Sequence, residues 1–139
     1  MNYRNIEDAE RLEKIEEVIL ELKTLAQEGA VIVVEGKRDA ESLRLLGIKG
    51  DIRQASHQPL HEFAESLSRC GGEIILLTDW DKKGGFMARK IIKYLLSFGV
   101  MPNTDIRSRI RALVKKRIKD IESLNNYVNK YRFELYGKF

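Results

Sequence analysis

Two short aliphatic runs, Ala30-Val31-Ile32-Val33-Val34 and Glu73-Ile74-Ile75-Leu76-Leu77-Thr78, constrain this chain more than any other feature. Each is short, lacks polar alternation and is bounded by turn residues. That pattern reads as a strand buried on both faces, as in a parallel sheet covered by helices. Between and around them the apolar period changes to three and four residues. Helices are predicted over residues 5–28, 38–46, 59–69 and 85–98, and a weak strand over Asp51-Ile52-Arg53-Gln54. After Pro102 the rhythm is helical again, with a break near Lys119-Asp120, and Thr104-Asp105-Ile106 is the one candidate for a fourth strand. A helix followed by β-α-β-α-β-α implies an α/β fold with a mostly parallel sheet flanked by helices. We expect one compact domain: an N-terminal helix over residues 1–29, a core over 30–100 and a basic helical extension over 101–139.

The chemistry lies in the segments just after the two strands. Val34 leads into Glu35-Gly36-Lys37-Arg38-Asp39, and Thr78 leads into Asp79-Trp80-Asp81-Lys82-Lys83-Gly84-Gly85. Residues two apart in an extended segment share a side, so Asp79 and Asp81 are expected to converge while Trp80 points away. Ligands of open parallel sheets bind outside the carboxyl ends of the strands. If the two strands are neighbours, Glu35 joins the aspartates there. Three carboxylates in one cleft repel and raise one another's pKa; Mg²⁺, which takes one or two carboxylates, waters and phosphate oxygens, removes that repulsion. Gly84, ahead of a helix N-terminus, would let the backbone approach a phosphate. Lys37, Lys82 and Lys83 flank the acids and are candidate phosphate contacts. An isolated Asp-x-Asp is more often a polar loop or a helix cap; the repetition on two buried strands favours the site.

The pair Glu35-Gly36-x-x-Asp39 after a Val-rich strand and Asp79-x-Asp81-x-x-Gly84 after an Ile/Leu-rich strand resembles the Toprim domain. That domain is shared by bacterial-type primases, type IA and type II topoisomerases, OLD-type nucleases, recombination proteins and the ribonuclease that matures 5S ribosomal RNA. Glu35-Gly36-Lys37 looks closest to the last of these and to small stand-alone Toprim proteins. The resemblance covers about residues 28–100. It implies a Rossmann-like fold and one or two Mg²⁺ ions at Glu35, Asp79 and Asp81. It implies acid–base chemistry by Glu35, loop-shaping by Gly36 and Gly84, and a structural Asp39. No zinc-binding, helicase-binding or strand-passage module is evident, so a full primase or topoisomerase is not expected. The expected function is Mg²⁺-dependent phosphodiester chemistry on nucleic acid, as a nuclease in RNA processing. The alternatives are a non-catalytic, metal-assisted, RNA- or ribosome-associated binding module and a primase-like nucleotidyl transferase. An aspartyl-nucleophile phosphatase shares only the Asp-x-Asp spacing and needs threonine or valine where Lys83 stands.

Charge distribution bears on partners. Residues 1–30 carry four basic and eight acidic side chains, residues 31–100 eleven and nine, and residues 101–139 ten and four. Arg107, Arg111 and Lys115 repeat every four residues in a run without acids, a stripe that can track phosphates or pair with the acidic first helix. We expect nucleic acid, RNA over DNA, as partner, with a protein that presents the substrate as a further possibility. No apolar run approaches the roughly 18 residues of a membrane span, and the N-terminal residues lack a signal-peptide core; a cytoplasmic protein is expected. The lone Cys70 forms no intrachain disulfide. His57 reads as a loop residue or a proton carrier beside the cleft. His61, one turn on, could complete a His pair for Zn²⁺ but lacks a third ligand. Tyr127, Tyr131 and Phe133 are spaced for core packing.

Overall fold

The computed structural model describes residues 3–137, with side chains from Ile6 onward. In chain order the elements are α1 (Tyr3–Gln27), β1 (Val31–Val34), α2 (Lys37–Leu45), β2 (Asp51–Gln54), α3 (Leu60–Ser68), β3 (Ile74–Leu76), α4 (Lys82–Ser97), α5 (Asp105–Val114) and α6 (Leu124–Tyr136). The three strands form one parallel sheet in the order β2-β1-β3. The chain leaves β1 toward one side for β2 and crosses back for β3. Loops after β1 and β3 therefore part at their carboxyl ends, the place where open α/β sheets form their crevice.

Strand alternation splits the core into two layers. Ile32, Val34, Ile75 and Leu77 pack beneath α1, α2, α5 and α6, whereas Val31, Val33, Ile74 and Leu76 pack beneath α3 and α4. Removing both faces of β1 from water makes an unbroken aliphatic run favourable, at roughly 1.5–3 kcal/mol for each fully buried side chain. On α1, Leu12, Ile15, Val18, Ile19, Leu22 and Ala26 are buried at helical spacing. That helix ends at Gly29, whose φ of +99° lets Ala30 N–H reach back to Leu25 O at 3.0 Å, the closure a left-handed residue permits.

The predicted elements are all present, with instructive shifts. α1 begins at Tyr3, so its first turn holds no acid; of the acids on its later turns, Asp8, Glu16 and Glu21 take ion-pair partners. α4 begins at Lys82, three residues before the predicted start, because Asp81 caps it. The fourth strand reduces to a single parallel bridge, Ile75 with Asn103, and Asp105 and Ile106 are already helical. The break between α5 and α6 spans 115–123, and Asp120 holds its turn by accepting Ser123 N–H at 2.9 Å. The C-terminal third is no appendage: Ile106, Ile110, Val114, Ile121, Leu124 and Val128 belong to the same buried cluster as Ile32 and Val34.

Candidate functional site

β1 and β3 are neighbours, with Val31 opposite Ile74, so the loops carrying Glu35 and Asp79 emerge side by side. Glu35 is 9% exposed. Its Oε2 accepts the backbone N–H of Asp79 at 2.8 Å, which sets the two acids side by side. Partial burial, followed by the Glu35 side chain beside it, pushes Asp79 up to about 8, although the Ile121 N–H that it accepts at 3.0 Å pulls the other way. A carboxyl raised this far keeps its proton near neutral pH, which relieves the repulsion between Asp79 and Glu35.

Asp39 stands beside this pair, 7% exposed. One oxygen accepts Gly36 N–H at 3.0 Å and the other Glu122 N–H at 3.0 Å. Burial raises it, and so does the charge of Glu35. It ties the loop after β1 to the segment before α6, the structural part expected for it. Arg107 closes the cluster from α5. Its Nε donates to Thr78 O and its Nη2 to Asp79 O, each at 2.7 Å. Burial and then Arg111 lower its pKa, while Asp79, Glu35 and Asp81 oppose them. Spacing alone places Arg107 on an outward stripe with Arg111 and Lys115; the structure corrects this and turns its guanidinium inward onto two carbonyls.

Two further expectations change. Strand alternation predicts that Asp81 converges with Asp79, but its Oδ1 accepts Gly84 N–H at 2.7 Å as the N-cap of α4. Among the described residues no three acidic, histidine or cysteine side chains come together as one metal-holding group; the pair that meets is Glu35 and Asp79. Gly84, expected to admit a phosphate, is instead buried in the first turn of α4. Its N–H is taken by Asp81, and a Cβ there would lie 2.0 Å from Asp79 O. Its glycine serves close packing of helix on loop, reinforced by Thr78 Oγ1–H donating to Gly84 O at 2.9 Å.

Mg²⁺ fits the donor chemistry. Glu35 and Asp79 offer hard carboxylate oxygens at the sheet's carboxyl edge, and a divalent cation offsets the same repulsion that the Asp79 proton now offsets.

A basic groove of about 500 Å³ adjoins the cluster, walled by Trp80 and Asp81. Its cations are Lys82, Arg111, Lys115, Lys116 and Lys119. Among the described residues none of these five forms an ion pair; Arg109 pairs with Glu21 and Asp105, and Arg132 with Glu16. The C-terminal charge thus divides, part clasping α1 and part facing the groove. Lys116 and Lys119 belong to the acid-free run, but only the turn after α5 brings them beside Lys82. Trp80 packs part-buried against the core cluster and donates Nε1–H to Ile118 O at 2.8 Å. Lys37 and Lys83 are exposed on the first turns of α2 and α4; Lys37 lies in a separate hollow with Glu41 and Leu45.

The remaining candidates resolve simply. His57 is exposed after β2 with φ +63°, a left-handed conformation that histidine visits more readily than most residues; the preceding Ser56 N–H donates to Glu35 O at 2.9 Å. His61 packs its ring against Tyr94 and Phe98, at 5.1 and 5.3 Å, an aromatic contact between α3 and α4 rather than half of a zinc pair. Tyr127 is buried and packs on Tyr131 at 4.8 Å, whereas Phe133 stands exposed.

The Toprim domain model matches residues 30–113, extending past the expected core to include the part of α5 that carries Arg107. A UPF0292 protein of Methanosarcina barkeri is 48% identical over 124 residues, 89% of this chain and 87% of that one. A UPF0292 protein of Methanocaldococcus jannaschii is 45% identical, covering 89% and 97%. A solved structure of a protein from Aquifex aeolicus superposes with a TM-score of 0.67 at 30% identity, covering 78% of this chain and 95% of that one. Toprim domains typically bind Mg²⁺ and occur in nucleases, primases and topoisomerases, which gives the coarse function as metal-dependent and nucleic-acid-related. With two acid-bearing loops side by side at the sheet's carboxyl edge and the family model spanning both, the chain belongs to the Toprim domain family.

Proposed function

We propose that this protein performs Mg²⁺-dependent phosphodiester chemistry on nucleic acid, as a nuclease in RNA processing in the cytoplasm. The observation that carries the reading is the pairing of buried Glu35 with part-buried Asp79, joined through the Asp79 N–H, on the loop that leads into the basic groove at Trp80. Glu35 and Asp79 would hold the ion, with Asp81 at the rim of the same loop. When bound, the ion supplies charge neutralisation at a phosphate and lowers the pKa of bound water. Glu35 moves a proton to or from the reacting oxygen, an effect of about 10²–10⁴-fold. Lys82, Arg111 and Lys115 hold neighbouring phosphates. RNA is favoured over DNA because Glu35-Gly36-Lys37 most resembles the loop of the 5S-maturing ribonuclease.

A second reading, a non-catalytic metal-assisted binding module, draws support from Asp81 being committed to Gly84 N–H. Cleavage of structured RNA and nicked DNA in Mg²⁺ separates the two. The nuclease reading expects Glu35→Gln to lose cleavage by at least about 10²-fold while binding persists. Equal cleavage by wild type, Glu35→Gln and Asp79→Asn would end it, and no metal-dependent cleavage by wild type would favour the second reading.

A further inference from the structure

The groove carries one feature that phosphate binding does not require, its tryptophan. We propose that it takes an unpaired nucleotide of a single strand, with the base on Trp80 and the flanking phosphates on Lys82, Arg111, Lys115 and Lys119. This rests on the nucleic-acid reading above and specifies the form of the substrate.

Trp80 is half-buried, and Ile118 O satisfies its single polar donor at 2.8 Å. Part of the indole packs against the core cluster, and with its one polar donor satisfied the part that remains exposed beside the groove is apolar. Cations that stack on rings among the described residues do so elsewhere, Lys90 over Phe86 and Lys130 over Tyr131. A hollow of about 500 Å³ is of ligand-pocket size. In a duplex, bases stack on one another and present only their edges, whereas a single strand offers a free base face with a phosphate on either side. A positive groove with an aromatic platform is the combination that single-strand binders use. Asp81 both caps α4 and lines the groove, so the groove opens on the loop that also carries Asp79. The substrate class that fits is a nucleic acid with an unpaired end or loop next to the bond acted upon.

Trp80 is the sole tryptophan of the chain, so its emission reports the groove directly. The full chain is titrated in EDTA with a short thymidine oligonucleotide, a hairpin duplex of equal charge and inorganic tripolyphosphate. Without divalent ions, cleavage plays no part. The expected result is quenching by the single strand, with affinity about tenfold or more above the duplex, in line with stacking worth about 5- to 150-fold per base. Lys115→Gln and Lys119→Gln each weaken binding and reduce the salt slope by about 0.7. Trp80→Leu, followed by anisotropy of a labelled strand, weakens binding by the stacking factor. Should Trp80→Leu fail to fold, the lysine variants and the wild-type comparison decide. Equal binding of duplex and single strand, equal competition by tripolyphosphate, or lysine variants that bind like wild type would overturn the proposal. Cleavage lost in Glu35→Gln with no quenching in EDTA defeats this inference alone; quenching without any metal-dependent cleavage defeats the nuclease reading alone.

Discussion

Asp79 is where the properties of single residues matter most. Its folded pKa of about 8 stands above the ordinary 3.8 because it is partly withdrawn from water beside Glu35. The folded chain therefore binds a proton that the unfolded chain releases between those values. Stability is undiminished below 3.8 and falls as pH rises toward 8, by up to about 1.4 kcal/mol per unit from this group. In EDTA, thermal unfolding followed across that range is expected to show the fall in wild type and a flatter profile in Asp79→Asn. Glu35 and Asp79 as acids that meet are legible in the sequence, because each lies just beyond a strand whose aliphatic run admits little else; that Asp39, inside α2, stands beside them is not. The role of Asp81 is not, since an N-cap and a metal ligand require the same residue type.

Among the elements, the join between β3 and α4 bears the tightest constraint. Asp81 caps the helix, Thr78 bonds its first turn, and Arg107 from α5 grips the carbonyls of Thr78 and Asp79. A methyl group at Gly84 cannot be accommodated without moving the backbone that carries Asp79. Gly84→Ala is expected to cost about 3 kcal/mol, at the upper end of overpacking effects. It should also weaken Mg²⁺ binding, whereas Gly85→Ala, with only Arg89 Nη1 at 3.5 Å, should cost far less. Parallel denaturant unfolding of the two variants checks this. The helix itself is legible from its apolar period. Its start is not, because two glycines read as a loop until the cap and the close approach to Asp79 are seen. Arg107 is likewise hidden: spacing alone puts it with Arg111 and Lys115, and only the packing of α5 against the sheet turns it inward.

At the scale of the molecule, the domain is larger than its motifs. The strands and their acids suggest a core over residues 30–100. Yet one face of the sheet is covered by α1, α5 and α6, and the family model runs to residue 113. A chain ending at residue 100 leaves Ile32, Val34, Ile75 and Leu77 without much of their cover and removes the anchors of Asp39 and Asp79 at Glu122 and Ile121. It is expected to lack a cooperative unfolding transition by circular dichroism, whereas the full chain shows one. Sequence patterning locates the sheet well because burial on both faces leaves a local trace. It places the edges of the domain poorly because helix-on-sheet contacts across the chain leave none. The central claim is that Asp79 gives up its proton when it and Glu35 take a divalent ion. Calorimetric titration with Mg²⁺ in buffers of different ionisation enthalpy counts the protons released. The account predicts about one proton per ion bound by wild type near pH 7 and essentially none in Asp79→Asn. Mg²⁺ binding to wild type without proton release, or no binding to the folded protein, would contradict it.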